Sequence, residues 1–154
     1  MRASTLRNEK LSGLLSSDGV LQIQRYNGVT DIWTNEWSTT TITSANSPYR
    51  GFDIAYEKNS GRAMVLYNGA AAGQLYYNIW DGTSWTGAVT LTTGTANASL
   101  WVRLEAKPNS DELMAAVLRA TSLEIYAVRW TSTTWKDGTQ IIASAVASTK
   151  QNYD

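Results

Sequence analysis

Cysteine and histidine are both missing from this 154-residue chain. Without cysteine there is no disulfide framework, no thiol nucleophile and no Cys-ligated zinc or iron–sulfur centre. Without histidine the chain lacks the side chain that titrates nearest neutral pH, which excludes His-dependent triads and most zinc, copper and non-haem iron sites. Enzyme chemistry is confined to carboxylates, Tyr, Lys and Arg, the main surviving example being a glycosidase built on an Asp/Glu pair. The chain is read as not an enzyme, and no metal or cofactor is expected. An excess of one charge is also missing, because 13 Lys and Arg balance 13 Asp and Glu. No net field then attracts nucleic acid or an acidic membrane surface, and nucleic acid is not an expected partner. Long apolar runs are absent too, so membrane insertion is not expected, and Met1 to Lys10 carries Arg2, Arg7 and Lys10 instead of a signal-peptide core.

What is present fits a globular protein with a real core, 43% of the residues being apolar. Helical periodicity never exceeds two turns, whereas short alternating runs separated by Gly, Asn, Asp and Ser recur throughout, so the fold class is all-β. Asp111 to Arg119, DELMAAVLR, has helix-favouring residues. An internal repeat overrides that preference and makes it a strand.

Laid on itself at a shift of about fifty, the sequence aligns Trp80 with Trp130, Trp85 with Trp135, Asn59-Ser60 with Asn109-Ser110 and Met64 with Met114. The alternating series Phe52, Ile54, Tyr56 falls on Val102, Leu104, Ala106, which keeps one strand face in phase. Trp33 and Trp37 precede Trp80 and Trp85 by 47 and 48 residues and mark a third, less regular copy. Each unit reads as four antiparallel strands, in the clearest copy Arg50 to Glu57, Arg62 to Tyr67, Gln74 to Trp80 and Thr86 to Leu91. The turns between them are Lys58 to Gly61, Asn68 to Gly73 and Asp81 to Ser84. The whole chain is thus one repeat domain with units at 1–49, 50–99 and 100–154. It opens inside a unit, with Lys10 to Leu15 and Val20 to Tyr26 as second and third strands, and stops at Gln151 to Asp154, where another first strand is due.

Four-stranded units of this length with a Trp-rich exit from the third strand resemble β-propeller blades. The segments RGFDIAYEKNSGRAMVLYN and LYYNIWDGTSWT are similar to repeats of large exported bacterial and archaeal proteins. A narrower likeness is to fucose-binding propeller lectins, whose blades carry a Trp-Asp-Gly-x-x-Trp turn like Trp80 to Trp85. At Trp130 the turn reads Trp-Thr-Ser-Thr-Thr-Trp, and Tyr77 stands where the lectins have a Glu. The resemblance implies a partial or oligomer-completed propeller, with a β-sandwich as the alternative. Closed propellers have about four to eight blades, so the roughly three supplied here imply self-association, most simply a dimer of six, or a piece of a longer ring. A lone arc exposes two raw blade faces.

The function expected is a non-enzymatic structural or adhesive binding module at the cell surface or outside the cell, presenting loops to a protein or glycan. A sugar-binding propeller lectin and a carboxylate-dependent glycosidase are the alternatives. The ligand-contact candidates are Trp80, Asp81 and Trp85 at the turn, Trp101, which breaks the repeat opposite Gly51, and Arg103, which lies in the apolar run Leu100 to Leu104. Packing between blades is the competing role for Trp80, Trp85, Trp130 and Trp135. Arg50, Arg103, Arg119 and Arg129 are candidates to converge on an anion, and Arg103, if buried, needs Asp53 or Glu105 beside it. Asp53, Glu57, Glu105 and Asp111 are expected at solvated edges or turns, and Asp18-Gly19 and Asp137-Gly138 as hairpin turns.

Overall fold

The computed structural model describes residues 1–41, 49–69, 74–91, 99–119 and 124–142. Within each sheet every strand pairs antiparallel with the next in sequence, so every sheet is a meander. The first sheet holds β1 (Arg2–Ala3), β2 (Glu9–Leu15), β3 (Val20–Asn27) and β4 (Ile32–Thr40). The second holds β5 (Phe52–Tyr56), β6 (Ala63–Asn68), β7 (Leu75–Trp80) and β8 (Val89–Leu91). The third holds β9 (Ser99–Ala106), β10 (Glu112–Arg119), β11 (Ile125–Thr131) and β12 (Trp135–Ile142). DELMAAVLR is strand β10, paired on both sides. Among the described residues no helix is long and apolar enough to cross a membrane.

Two expectations change. The first sheet has its own first strand, the two residues of β1, which pair with Lys10 and Leu11. Asp137-Gly138 is not a turn but lies within β12, where the register with β11 shifts between Ala127 and Arg129. Two residues opposing one is a bulge, which Asp-Gly accommodates as readily as a turn. The Asp18-Gly19 turn forms, with Gly19 at φ 84°. The first strand expected at Gln151 to Asp154 lies outside the described residues.

The sheets stack face to face and enclose two cores, so every residue of β6 is buried. Leu11, Leu21 and Ile23 of the first sheet meet Ile54, Tyr56, Val65, Tyr67 and Trp80 of the second. Met64, Leu66 and Leu75, on the other face of the second sheet, meet Val102, Leu104, Leu113, Val117, Val128 and Trp130 of the third. Alternation along a pleated strand produces this division, since neighbours point to opposite faces.

One polar joint recurs between the sheets. Trp80 Nε1 donates to the two oxygens of Glu9 at 3.2 and 3.3 Å, and Trp130 Nε1 donates to Glu57 Oε1 at 2.7 Å. Each carboxylate is paired with an arginine of its own sheet, Arg7 at 2.8 Å and Arg62 at 2.7 Å. Each arginine then donates to a carbonyl of the following sheet, Arg7 to Gly61 and Arg62 to Ser132, both at 2.6 Å. Gly82, at φ +106°, leaves room for this arrangement, because a Cβ there would lie 3.0 Å from the Arg7 guanidinium. Glu57 is 2% exposed, which corrects the expectation of a solvated turn residue. Its carboxylate is drawn inward by the indole N–H, a buried donor that is costly to leave unpaired.

The aromatic repeat also shifts in the first sheet. Trp80 pairs with Trp85 across the hairpin end, and Trp130 with Trp135, at centroid separations of 5.4 and 5.6 Å. The equivalent pair in the first sheet is Tyr26 with Trp33, at 5.4 Å. Trp33 therefore corresponds to Trp85, with Tyr26 in the place of Trp80. Trp37 lies farther along β4 and packs on Tyr67 and Trp85.

The two joints differ in their second indole. Trp85 Nε1 donates to Glu36 Oε2 at 3.1 Å, and Arg25 pairs with Glu36 while lying 5.0 Å over the Trp80 ring. Trp135 Nε1 is buried with no hydrogen-bond partner among the described residues. Trp130→Phe is therefore expected to cost about 1–3 kcal/mol more than Trp135→Phe, since only the former strips a donor from a buried carboxylate. Urea unfolding of the two variants measures the difference, and equal costs would remove the joint as a stabilising element.

Burial and the neighbouring Glu9 charge push the Tyr56 phenol far above its ordinary range, and burial raises Tyr67 and Tyr77 as well. In the unfolded chain these phenols ionise near about pH 10, so above that the unfolded state binds fewer protons and stability falls as pH rises. The stabilisation is complete below the unfolded value and is lost through the alkaline range. Unfolding free energy measured at about pH 8 and about pH 11 should drop, and Tyr56→Phe should flatten the drop.

Candidate functional site

The first strand of each sheet is an edge strand, and the three edges lie side by side. Val102 N donates to Arg50 O at 2.9 Å, and Leu104 N donates to Asp53 Oδ2 at 2.9 Å, so β5 and β9 are joined through backbone and side chain. Arg2 Nε of the first sheet donates to Ile54 O at 3.1 Å. One arginine from each sheet consequently reaches the same carboxylate. Arg50 Nη2 is 2.7 Å from Asp53 Oδ1, and Arg103 Nη1 and Arg2 Nη2 are 3.6 and 3.9 Å from Oδ2. Glu105 sits on the far side, 3.0 Å from Arg2 and 3.8 Å from Arg103.

Asp53 is 3% exposed, so it is an interior residue and not the solvated edge expected of it. Its oxygens accept from two backbone amides, Ile54 N and Leu104 N, both at 2.9 Å, besides the Arg50 guanidinium. An anion with these partners tolerates burial that an isolated one would not. The sequence requirement that a buried Arg103 have Asp53 or Glu105 beside it is met by both.

A cavity of about 430 Å³ opens over this cluster, its lining including Met1, Arg2, Arg50, Phe52, Asp53 and Arg103. That volume lies within the usual few hundred Å³ of small-ligand sites. A second cavity, between Arg2, Tyr56, Lys58 and Glu105, is only about 90 Å³, room for a few waters. Gly13 shapes the larger one, since a Cβ there would stand 2.2 Å from the Phe52 ring.

Of the residues singled out from the sequence, Arg50, Asp53 and Arg103 line this cleft. Trp101, two residues along β9, packs with Tyr49 against Leu100, Leu118 and Ile125. Trp80 and Trp85 lie in the joint between the first two sheets. Asp81 holds its own turn: its carboxylate accepts from Thr83 N at 2.7 Å and Ser84 N at 2.8 Å. Those bonds keep its carboxyl well below the usual range. Asp111 serves the neighbouring turn, accepting from Asn59 N and Ser60 N at 2.8 and 2.9 Å. Arg50 and Arg103 converge as a pair, whereas Arg119 lies over Tyr126 at 3.5 Å and Arg129 pairs with Glu112 at 3.6 Å, both within the third sheet. Sequence reasoning passed over Arg2 as a site residue, because the two-residue strand β1 that holds it was not expected.

No protein-family model matches the chain, and no curated protein matches it either.

Proposed function

We propose that this chain is a non-enzymatic binding module, a three-blade arc of propeller type. It works outside the cell or on its surface and takes a protein or glycan group into the cleft along its inner edges. The observation that supports this is the convergence of Arg2, Arg50 and Arg103, one per sheet, on a cavity of about 430 Å³. The chemistry of the cleft favours holding over turnover. Its buried carboxylate already accepts from two amides and a guanidinium, so its oxygens are engaged by the protein's own donors. The other buried carboxylates, Glu9 and Glu57, are committed to the sheet joints. A panel of glycans and short peptides screened by thermal shift should find ligands that raise the melting temperature, by an amount that grows with ligand concentration. Hydrolysis of chromogenic glycosides, abolished by removing one carboxylate, would replace this reading with a glycosidase.

Completion of the ring by a second copy belongs to the same proposal. The bond Lys107 N to Glu112 O, at 3.0 Å, repeats the bond Ser4 N to Glu9 O, also at 3.0 Å, so Glu112 holds in the third sheet the place of Glu9 in the first. A partner copy bringing Tyr26 and Trp33 against Glu112 would set an aromatic pair there, with a tyrosine where the internal joints have the donating indole. Light scattering over a range of concentrations is expected to show twice the chain mass at the high end. A single-chain mass throughout would remove the ring.

A further inference from the structure

We infer that the inner edge of the first sheet accepts an added strand: an extended peptide segment of a partner protein enters the cleft and pairs antiparallel with β2 at Gly13 and Leu15. This rests on the reading of the cleft as the ligand site. The three first strands are unequal. β1 pairs with β2 at two positions, Arg2 with Leu11 and Ala3 with Lys10, whereas β5 pairs with β6 at five and β9 with β10 at seven. β2 nevertheless runs on to Leu15, paired with β3 over its whole length. The bonds that Glu9 O, Arg62 O and Glu112 O accept from Ser4 N, Glu57 N and Lys107 N set the three second strands in register, so Gly13 corresponds to Leu66 and Ala116. Asp53 stands opposite Leu66 and Arg103 opposite Ala116, but no described residue stands opposite Gly13.

Neighbouring bonds decide which backbone groups face that vacancy. Gly28 N donates to Asn8 O and Ser16 N to Val20 O, so the even-numbered residues of this stretch turn to β3, while Glu9 O turns the other way, to Ser4 N. Successive residues of a strand alternate in this respect. The N–H and C=O of Gly13 and Leu15 therefore point to the inner edge, where no described strand pairs with them. Phe52 N, on the edge of the second sheet, repeats the pattern. It corresponds to Val102 N, which donates to Arg50 O of the preceding sheet at 2.9 Å, yet among the described residues it has no acceptor. Such an open row of donors and acceptors is a template for an extended chain. The cavity of about 430 Å³ lies at this place, its lining including both Gly13 and Phe52. Four extended residues, reaching from opposite Gly13 to opposite Ser16, span about 14 Å. The residue opposite Leu14 falls beside a side chain that is 54% exposed, which favours an apolar residue there.

Amide hydrogen exchange of the full chain, read by NMR, tests this. Without ligand, the amides of Gly13, Leu15 and Phe52 should exchange at least about tenfold faster than those of Ser12 and Leu14, which bond to β3. The probes are terminally blocked hexapeptides in which Val or Leu alternates with Thr or Ser, in both phases. At least one is expected to bind with Kd below about 1 mM and to slow the three amides at least about tenfold. Methylating one set of its alternate backbone nitrogens should weaken it at least about tenfold, and methylating the other set should not, because only one set faces β2. Leu14→Thr, on the exposed face, should weaken it about twofold to fivefold and leave the urea midpoint in place. Slow exchange before any peptide is added overturns the inference, since the edge is then already occupied. So does the absence of any peptide binding below about 1 mM, or binding that leaves Gly13 and Leu15 unprotected. Protection that appears only as chain concentration rises replaces the partner peptide with a second copy. Binding of a neutral glycan in the cleft instead would sink the peptide assignment and leave the binding-module reading standing, whereas glycoside turnover would sink that reading itself.

Discussion

The arrangement of the whole molecule depends on carboxylates that one sheet contributes to the next. Apolar faces attract without fixing position, so two sheets covered in Leu, Ile and Val could slide or rotate with little penalty. The Glu9 and Glu57 joints remove that freedom. Each buries a charge that is tolerable only when an indole N–H and an arginine from defined positions reach it together, so misregistered stacking leaves a buried ion unpaired. The apolar cores supply cohesion and the joints supply register. Asp53 acts in the same way at the inner edge, since its bond to Leu104 N ties the second sheet to the third.

Much of the fold was legible because it rests on local rules. Alternation, turn residues and the recurrence of Trp80-Trp85 at Trp130-Trp135 gave the strand order and the four-stranded units without any knowledge of what stacks on what. Where the local rule admitted two outcomes, the reading slipped. Asp137-Gly138 suits a bulge as well as a turn, and only the register of β11 with β12 decides. Trp33 and Trp37 had nearly the spacing of Trp80 and Trp85, but the latter two face each other across a hairpin, whereas the former lie on one strand.

The site was less legible, for a different reason. Burial of Asp53 and Glu57 is decided by donors about fifty to seventy residues away, and nothing in the neighbouring sequence reveals it. The repeat concealed the joint further, because its two versions place the carboxylate on opposite sides of the first hairpin. Glu9 opens a second strand and Glu57 follows a first one, so a constant shift of fifty sets Glu9 against Asn59, while the matching turn bonds, Ser4 N to Glu9 O and Glu57 N to Arg62 O, set it against an arginine. Arg103 was detectable as a charge in an apolar run. Arg50 was visible only as one basic residue among several until the edges of β5 and β9 were brought together.

The outer faces of the arc bear on how it meets other molecules. The second sheet covers the first with Ala63, Val65 and Tyr67, and the matching face of the first sheet carries Lys10, Ser12 and the exposed Leu14. At the other end Met114, Ala116 and Arg129 stand where the second sheet has buried Met64, Leu66 and partly buried Ile79. These faces are therefore mixed, with Leu14 and Met114 exposed beside polar and charged side chains. A contact between them would bury less apolar area than either internal joint and would bring Lys10 toward Glu112. Such an interface gains specificity and salt sensitivity from charge, and less cohesion from burial, than the two joints already inside the chain. The internal joints and the outer faces thus differ at a few positions where Val, Leu and Ile give way to Ser, Ala and Arg.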